Sequence, residues 1–243
     1  MAVSWYRSPG HDPARPLIIL LPGRGSDADE LRAQGFVQAA LSSGKADVAA
    51  VNATQGYYMR RTLIPRLLQD VIRPAQQAGY HRLWIAGISM GGLGAVLTAE
   101  KQPGLLEGIL LMAPFLGEEE VIEEISLQGG LSSWRPPAAV DLQADYQRAL
   151  WSWLKRYAQG AQSPKLYLGF GDHDRFDRSN ALLAAVLPDD HVFRVPGDHD
   201  WGPWREVFAR FMQSDALVQP APQQPQSPPA VAGFQNAPNT PAP

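Results

Sequence analysis

Short apolar runs alternate with longer stretches of helical spacing from residue 17 to about residue 213, and this alternation limits the fold more than any other feature. Branched and aromatic residues are common in the runs, and most runs lack alternating polar positions, as expected of strands covered on both faces. The pattern predicts an α/β fold with a mostly parallel, doubly wound sheet of about six core strands. The predicted strands are Leu17–Leu21, Asp47–Asn52, Arg82–Gly87, Glu107–Met112, Lys165–Phe170 and His191–Val195.

The stretches between and after these strands have the spacing of amphipathic helices. Their starts carry capping residues, such as Ser26 or Asp27 ahead of an acidic first turn. The predicted helices are Asp27–Leu41, Arg61–Ala78, Gly91–Lys101, Leu142–Tyr157, Asp177–Leu187 and Pro203–Met212.

The composition changes near the end of the chain. No residue after Asp215 is charged, and prolines recur throughout the last 24 residues, so this stretch lacks the apolar side chains of a core. We therefore predict one catalytic domain over residues 1–213 and a disordered, Pro-rich tail over residues 214–243.

One segment interrupts the alternation of strands and helices. Residues 117–140 carry the acidic run Glu118–Glu120, a pair of glycines and Trp134. An insertion of this length between two strands is typical of a small lid over an active site, although a surface helix and loop fits the same residues.

Charge and composition exclude several kinds of partner. The formal net charge is -3 with both signs scattered, which predicts no nucleic-acid binding, and the absence of cysteine excludes thiolate chemistry. No apolar stretch approaches the ~20 residues that span a bilayer, and the first residues do not resemble a signal peptide. We expect a cytoplasmic protein with no membrane span and a small-molecule partner, and the oligomeric state is left open.

The motif Gly87-Ile-Ser89-Met-Gly91 ends a predicted strand and begins a predicted helix. This is the setting of a nucleophile elbow, in which a strained turn exposes a serine hydroxyl above the sheet and flanking glycines avoid steric clashes. A Gly-rich turn needed only for close packing is the alternative. We assign Ser89 as the nucleophile.

A serine nucleophile needs a general base, and sites on parallel sheets form at the carboxyl ends of the strands. Only His173 and His199 follow strands in this way, and His199 follows the last strand. We assign His199 as the base and His173 as a neighbour.

The loop after the fifth predicted strand offers an acid to orient that histidine. Among its three aspartates, Asp172 suits a turn and Asp177 a helix cap, so we assign Asp174. The two Asp-His-Asp triplets also admit a metal site, but that interpretation leaves the serine motif unexplained. We predict no metal and no cofactor.

The first predicted strand runs into a glycine-flanked loop, Pro22–Ser26. We assign the backbone N–H groups of Arg24 and Met90 to an oxyanion hole. A phosphate-binding loop is the competing interpretation, but its Gly-Lys-Ser/Thr ending is absent. Substrate-binding candidates are Tyr57 and Tyr58, after the second strand, and Trp134 in the insertion.

These motifs resemble the α/β-hydrolase superfamily, in particular its small bacterial carboxylesterase-like members, over roughly residues 15–213. The resemblance implies cleavage of a small-molecule carboxylic ester through an acyl-enzyme. An acyltransferase or thioesterase with the same triad is an alternative, and a non-catalytic binding protein is a further one. The resemblance rests on four stretches: Leu21–Asp29, Gly87–Gly92, Gly171–Phe176 and Gly197–Trp201.

The chain departs from the family pattern in two places. The oxyanion loop reads Pro22-Gly23 where the family often has His-Gly, and we expect little chemical effect because the hole uses main-chain amides. The front of the chain is too short for the two antiparallel strands of the full eight-stranded fold. Only Val3–Arg7 has the composition of one such strand, so we expect a sheet trimmed at the N-terminus.

Overall fold

A computed structural model describes residues 1–10, 12–138, 144–160 and 163–218. Its seven strands form one open sheet in the order β1-β3-β2-β4-β5-β6-β7. The strand β1 runs antiparallel to β3 at one edge, and every other neighbouring pair is parallel. The strands are β1 (Val3–Tyr6), β2 (Leu17–Leu21), β3 (Asp47–Val51), β4 (Leu83–Ile88), β5 (Gly108–Met112), β6 (Lys165–Gly171) and β7 (Val192–Val195).

This sheet confirms the predicted mostly parallel α/β architecture. All six strands predicted after residue 15 are present, and each predicted end lies within one residue of the observed end. Strands β2 to β5 are buried along their whole length, which explains their unbroken apolar sequences. The short strand β1 lies within Val3–Arg7, the stretch expected to supply one antiparallel strand.

Helices cover the sheet in two groups. The helices α1, α2 and α10 pack on the strands and on one another, whereas α6 packs on β4 and β5 together with α4 and α8. The helices are α1 (Ala28–Ala33), α2 (Phe36–Ser42), α3 (Gln55–Met59), α4 (Leu63–Leu67), α5 (Arg73–Gln77), α6 (Met90–Lys101), α7 (Glu119–Leu127), α8 (Tyr146–Ala158), α9 (Asp177–Ala184) and α10 (Trp201–Gln213).

The predicted helix boundaries were less accurate than the strand boundaries. The predicted Asp27–Leu41 helix is divided at Gly35, whose φ of 89° is outside the helical range. The predicted Arg61–Ala78 helix contains a π-helical turn between α4 and α5, just ahead of Pro74, which has no N–H to donate. The short helix α3 was not predicted.

Polar contacts hold the insertion, described over residues 117–138, against the rest of the domain. The insertion contains α7. The carboxylate of Glu124 in this helix accepts hydrogen bonds from the Trp134 indole Nε1 at 2.8 Å and from Arg148 Nε of α8 at 3.0 Å. Burial raises the pKa of Glu124, but the hydrogen bonds from Arg148 and Trp134 outweigh burial and leave the pKa below its ordinary value. Residues 139–143, which include the predicted end of the lid and the predicted start of α8, lie outside the described residues.

The segment after α10 crosses the amino ends of the parallel strands. Lys45 Nζ donates to the Ser214 carbonyl at 2.9 Å, and Arg82 Nη2 donates to the Leu217 carbonyl at 2.8 Å. Ala216 and Leu217 are each only 3% exposed, so the packed chain continues a few residues beyond the predicted boundary at residue 213. Residues 219–243 of the predicted tail lie outside the described residues. Within the described ranges, no helix has the length and apolar character needed to cross a membrane.

We expect a chain that ends after Gln213 to be less stable than one that ends after Val218, by about 2–4 kcal/mol in the free energy of unfolding. The shorter chain loses the buried Leu217 side chain and the carbonyls that accept from Arg82 and Lys45. Urea unfolding of the two chains measures the difference. If the two chains have the same urea midpoint and the same dependence of the unfolding free energy on urea, residues 214–218 do not stabilise the domain.

Candidate active site

Ser89 lies on a sharp turn between β4 and α6, at the carboxyl edge of the sheet. Its φ and ψ are 53° and -111°, a backbone conformation that non-glycine residues rarely adopt. The side chain is largely buried, and α6 begins at the next residue. The strand, strained turn and helix predicted around Ser89 are therefore all seen in the structure.

Two glycines allow this turn to form. A methyl group added at Gly87 would lie 2.2 Å from the carbonyl oxygen of Gly91, and one added at Gly91 would lie 2.2 Å from the carbonyl oxygen of Leu21. Both contacts are with backbone atoms, which cannot move aside as a flexible side chain does. The G-x-S-x-G spacing thus reflects backbone contact between β4, α6 and the end of β2.

The loop after β5 holds the backbone of Ser89 from a second side. The Ser89 N–H donates to the Met112 carbonyl at 2.9 Å, and the Ser89 carbonyl accepts from the Phe115 N–H at 3.0 Å. Between them, Ala113 has a φ of 46° and donates its N–H to the Gly169 carbonyl at 2.8 Å. The main chain of the serine is therefore fixed independently of its side chain.

His199 joins Ser89 to Asp174. Its Nε2 lies 3.0 Å from Ser89 Oγ, and its Nδ1 lies 2.8 Å from Asp174 Oδ2. The other carboxylate oxygen of Asp174 accepts from the Phe176 N–H at 2.8 Å. The Asp174 side chain is fully buried and that of His199 is 10% exposed, so their hydrogen bond is shielded from water.

Two aromatic rings flank the histidine. Phe176 and Trp204 lie with their ring centroids 4.9 Å and 5.0 Å from that of His199, each nearly perpendicular to the imidazole. Phe176 also packs against Phe115, with 5.5 Å between the ring centroids. The imidazole is thus restrained by packing as well as by hydrogen bonds.

The loop after β2 lies directly against the serine. A methyl group at Gly23 would be 3.6 Å from Ser89 Cβ, and the Ser26 N–H closes the loop by donating to the Gly23 carbonyl at 3.2 Å. Among the residues described, none accepts a hydrogen bond from the backbone N–H of Arg24, whose side chain is exposed. Met90 is the first residue of α6, where the helix provides no acceptor for the N–H.

The three predicted substrate-binding residues lie in two different parts of the fold. Tyr57 and Tyr58 lie on α3, at the carboxyl edge, and the Tyr58 hydroxyl packs close to Gly94 of α6. Burial raises the pKa of the Tyr58 hydroxyl above its ordinary value. The Trp134 side chain is 0% exposed, and its indole donates to Glu124 of α7.

Phe115 and Phe176 were not identified from the sequence, although both are partly exposed next to Ser89 and His199. Each follows the carboxyl end of a parallel strand by a few residues, which is the signal that located Asp174. Aromatic residues at this spacing are also common in cores, so the signal alone does not distinguish them.

The residues of the two Asp-His-Asp triplets do not form a metal site. Both ring nitrogens of His199 face protein groups, and His173 is 78% exposed with its Nδ1 2.9 Å from Asp172. No group of three or more metal-ligating side chains occurs within the part of the chain that the structure describes.

Comparisons with known proteins identify the family to which the sequence is similar. The model of the Esterase family, described as "Putative esterase", matches residues 51–213, which include all three residues of the hydrogen-bonded series. No curated protein matches the sequence significantly.

Solved structures match almost the whole chain at low identity. S-formylglutathione hydrolase from Staphylococcus aureus is 18% identical, with a TM-score of 0.58 and coverage of 89% of this chain and 97% of that chain. A fluorophosphonate-binding serine hydrolase of the same organism is 17% identical, with a TM-score of 0.60 and coverages of 90% and 98%. A monoacylglycerol lipase from Paleococcus ferrophilus is 14% identical, with a TM-score of 0.57 and coverages of 89% and 98%. Likeness at this level of identity shows a shared fold.

Proposed function

Because the chain belongs to the Esterase family and is an ester-hydrolysing serine hydrolase, we propose that it cleaves a carboxylic ester through a covalent acyl-enzyme on Ser89. The observation that carries this proposal is the hydrogen-bonded series from Ser89 through His199 to Asp174, with distances of 3.0 Å and 2.8 Å. A nucleophile, a base and a group that orients the base are the parts that acyl transfer by serine requires.

In the first step, His199 Nε2 accepts the proton of Ser89 Oγ as that oxygen bonds to the ester carbonyl carbon. Asp174 accepts a hydrogen bond from Nδ1–H, which keeps Nε2 unprotonated beforehand and stabilises the imidazolium that forms. The C–O bond to the alcohol then breaks, and the imidazolium protonates the departing oxygen.

The negative charge that develops on the carbonyl oxygen needs donors that are already in place. We assign this role to the backbone N–H of Arg24, which follows Gly23 in the loop beside Ser89, and to that of Met90, at the positive end of the α6 dipole. Donors of this kind each contribute a factor of about 10²–10³ to kcat in serine hydrolases.

In the second step, water takes the place of the alcohol. His199 accepts a proton from the water molecule as the water oxygen attacks the acyl carbon. The bond between the acyl carbon and Ser89 Oγ then breaks, and His199 returns the proton to the serine oxygen. The products are a carboxylic acid and the free enzyme, and the cycle uses no cofactor.

Labelling with a fluorophosphonate tests the nucleophile. We expect one probe per chain, attached to Ser89 and located by peptide mass spectrometry. Absence of labelling, or attachment to another serine, would contradict the proposal.

A panel of esters tests the reaction and measures the substrate preference. Acyl and alcohol groups are varied in size separately, thioesters of the same acyl groups are included, and acceptor alcohols are added in parallel. For a hydrolase we expect release of free acid to persist when an acceptor alcohol is present. Transfer of most acyl groups to the added alcohol would instead identify an acyltransferase.

A further inference from the structure

The chain contains the tetrapeptide Gly-Asp-His-Asp twice, at residues 171–174 and 197–200. The proposed mechanism uses one residue from each copy: Asp174 from the first and His199 from the second. Asp172 of the first copy has no part in that mechanism, yet it lies two residues before the acid.

The two copies touch through their backbones. A methyl group at Gly171 would lie 2.1 Å from the carbonyl oxygen of Gly197, so no side chain separates the two loops. The Asp172 N–H donates to the Val195 carbonyl at 2.9 Å, and the His173 N–H donates to the Gly197 carbonyl at 3.0 Å. The pairing of β6 with β7 therefore continues into the loops that carry the acid and the base.

The Asp172 side chain adds a third connection. Its Oδ1 accepts from the Gly197 N–H at 2.9 Å, and His173 Nδ1 lies 2.9 Å from the same oxygen. The hydrogen bond from Gly197, followed by the effect of His173, holds the pKa of this carboxyl below its ordinary value. Since the pKa is lowered, the ionised form that accepts these bonds is lost only as the pH falls below the usual range for aspartate.

Gly197 itself is held from the opposite side. Its φ is 124°, which side-chain-bearing residues rarely adopt, and a methyl group there would lie 2.6 Å from Pro203 Cγ of α10. The residue two positions before the base is thus fixed between Asp172 and α10.

We propose that Asp172 is a positioning residue, which acts through the Gly197 N–H to hold the loop bearing His199 in register with the loop bearing Asp174. The carboxylate and the amide that it binds each lie two residues before a member of the catalytic pair. A shift of the second loop would lengthen the Asp174–His199 hydrogen bond or displace His199 Nε2 from Ser89. This inference rests on the proposed function, because it concerns the placement of the proposed base.

The second copy provides a matched control. Asp198 occupies the same place in its tetrapeptide as Asp172, and it is exposed, but within the described ranges its carboxylate accepts no hydrogen bond. Asp200, the last residue of that copy, caps α10 by accepting from the Gly202 N–H at 2.9 Å. Asp172 therefore makes the hydrogen bond with the Gly197 N–H to which we attribute positioning, and Asp198 makes no equivalent bond in the described structure.

The test compares Asp172→Ala, Asp172→Asn and Asp198→Ala with the wild type. Fluorophosphonate labelling gives an end point, which measures the fraction of competent sites, and a rate constant, which measures the reactivity of each site. Ester hydrolysis gives kcat and KM separately. A purely structural role would lower the end point and leave the rate constant per competent site unchanged.

For Asp172→Ala we expect the labelling rate constant and kcat per competent site to fall about tenfold, because displacement of a catalytic group by ~1 Å can cost up to about 10²-fold. KM should change less than about twofold. Asp172→Asn should retain at least about half of the wild-type rate, since the amide oxygen can accept from Gly197, and Asp198→Ala should match the wild type.

An Asp172→Ala protein that reacts as fast as the wild type would overturn the inference. So would an Asp172→Asn protein as slow as Asp172→Ala, or an equal loss in Asp198→Ala. Failure of the wild type to be labelled at Ser89 would instead overturn the proposed function, and the inference with it, whatever the variants do.

Discussion

Replacement of Ser89 by alanine is expected to lower kcat for ester hydrolysis by about 10⁶-fold and to abolish fluorophosphonate labelling. The variant removes the only atom to which the acyl group is proposed to bond, while the proposed oxyanion donors remain. We expect the fold to persist, because the main-chain hydrogen bonds of residue 89 with Met112 and Phe115 do not use the removed hydroxyl. Steady-state hydrolysis and labelling both measure the effect.

Ser126→Ala is a suitable control for this variant. It removes a serine hydroxyl that donates to the Ile122 carbonyl at 2.8 Å within α7, away from the proposed nucleophile. We expect it to retain wild-type labelling and kcat. Labelling that persists in Ser89→Ala would mean that another residue is the nucleophile.

Asp174→Asn is expected to lower kcat by about 10⁴-fold, with little change in KM. Asp174 Oδ1 accepts from the Phe176 N–H, so the oxygen of an asparagine is required on that side and its NH₂ group faces His199 Nδ1. Nδ1 must then accept, and the proton of the neutral imidazole moves to Nε2. That tautomer cannot accept the proton of Ser89.

The matched comparison is Asp172→Asn, which changes a carboxylate in the same loop that does not contact His199. We expect it to lose no more than about twofold in kcat. A larger loss in Asp172→Asn than in Asp174→Asn would show that the orienting acid was assigned to the wrong residue.

The positions of the three proposed catalytic residues could be predicted because they depend on a simple property of the sheet. The carboxyl ends of parallel strands lie at one edge, so loops after β4, β6 and β7 converge although they are far apart in sequence. The apolar runs that mark these strands are clear because the strands are covered on both faces. The order of the strands depends on long-range pairing, which no local pattern encodes.

The location of Trp134 and the contact made by Asp172 could not be predicted from the sequence, for physical reasons. Tryptophan is large and apolar whether it lines a pocket or fills a core, and only the burial of Trp134 in the structure shows that it belongs to the core. Asp172 has the composition of an ordinary turn residue. Its hydrogen bond to Gly197 spans 25 residues and depends on the pairing of β6 with β7.

The C-terminal segment up to Val218 packs at the edge of the sheet opposite the proposed active site. Lys45, Arg82 and Lys165 precede or begin parallel strands, and all three donate to carbonyls in the stretch from Gln213 to Leu217. Ser89 lies at the other ends of those strands. Attachment of the chain to a resin or an electrode through residues beyond Val218 should therefore leave the site facing the solution, so an immobilised preparation should keep its access to substrate.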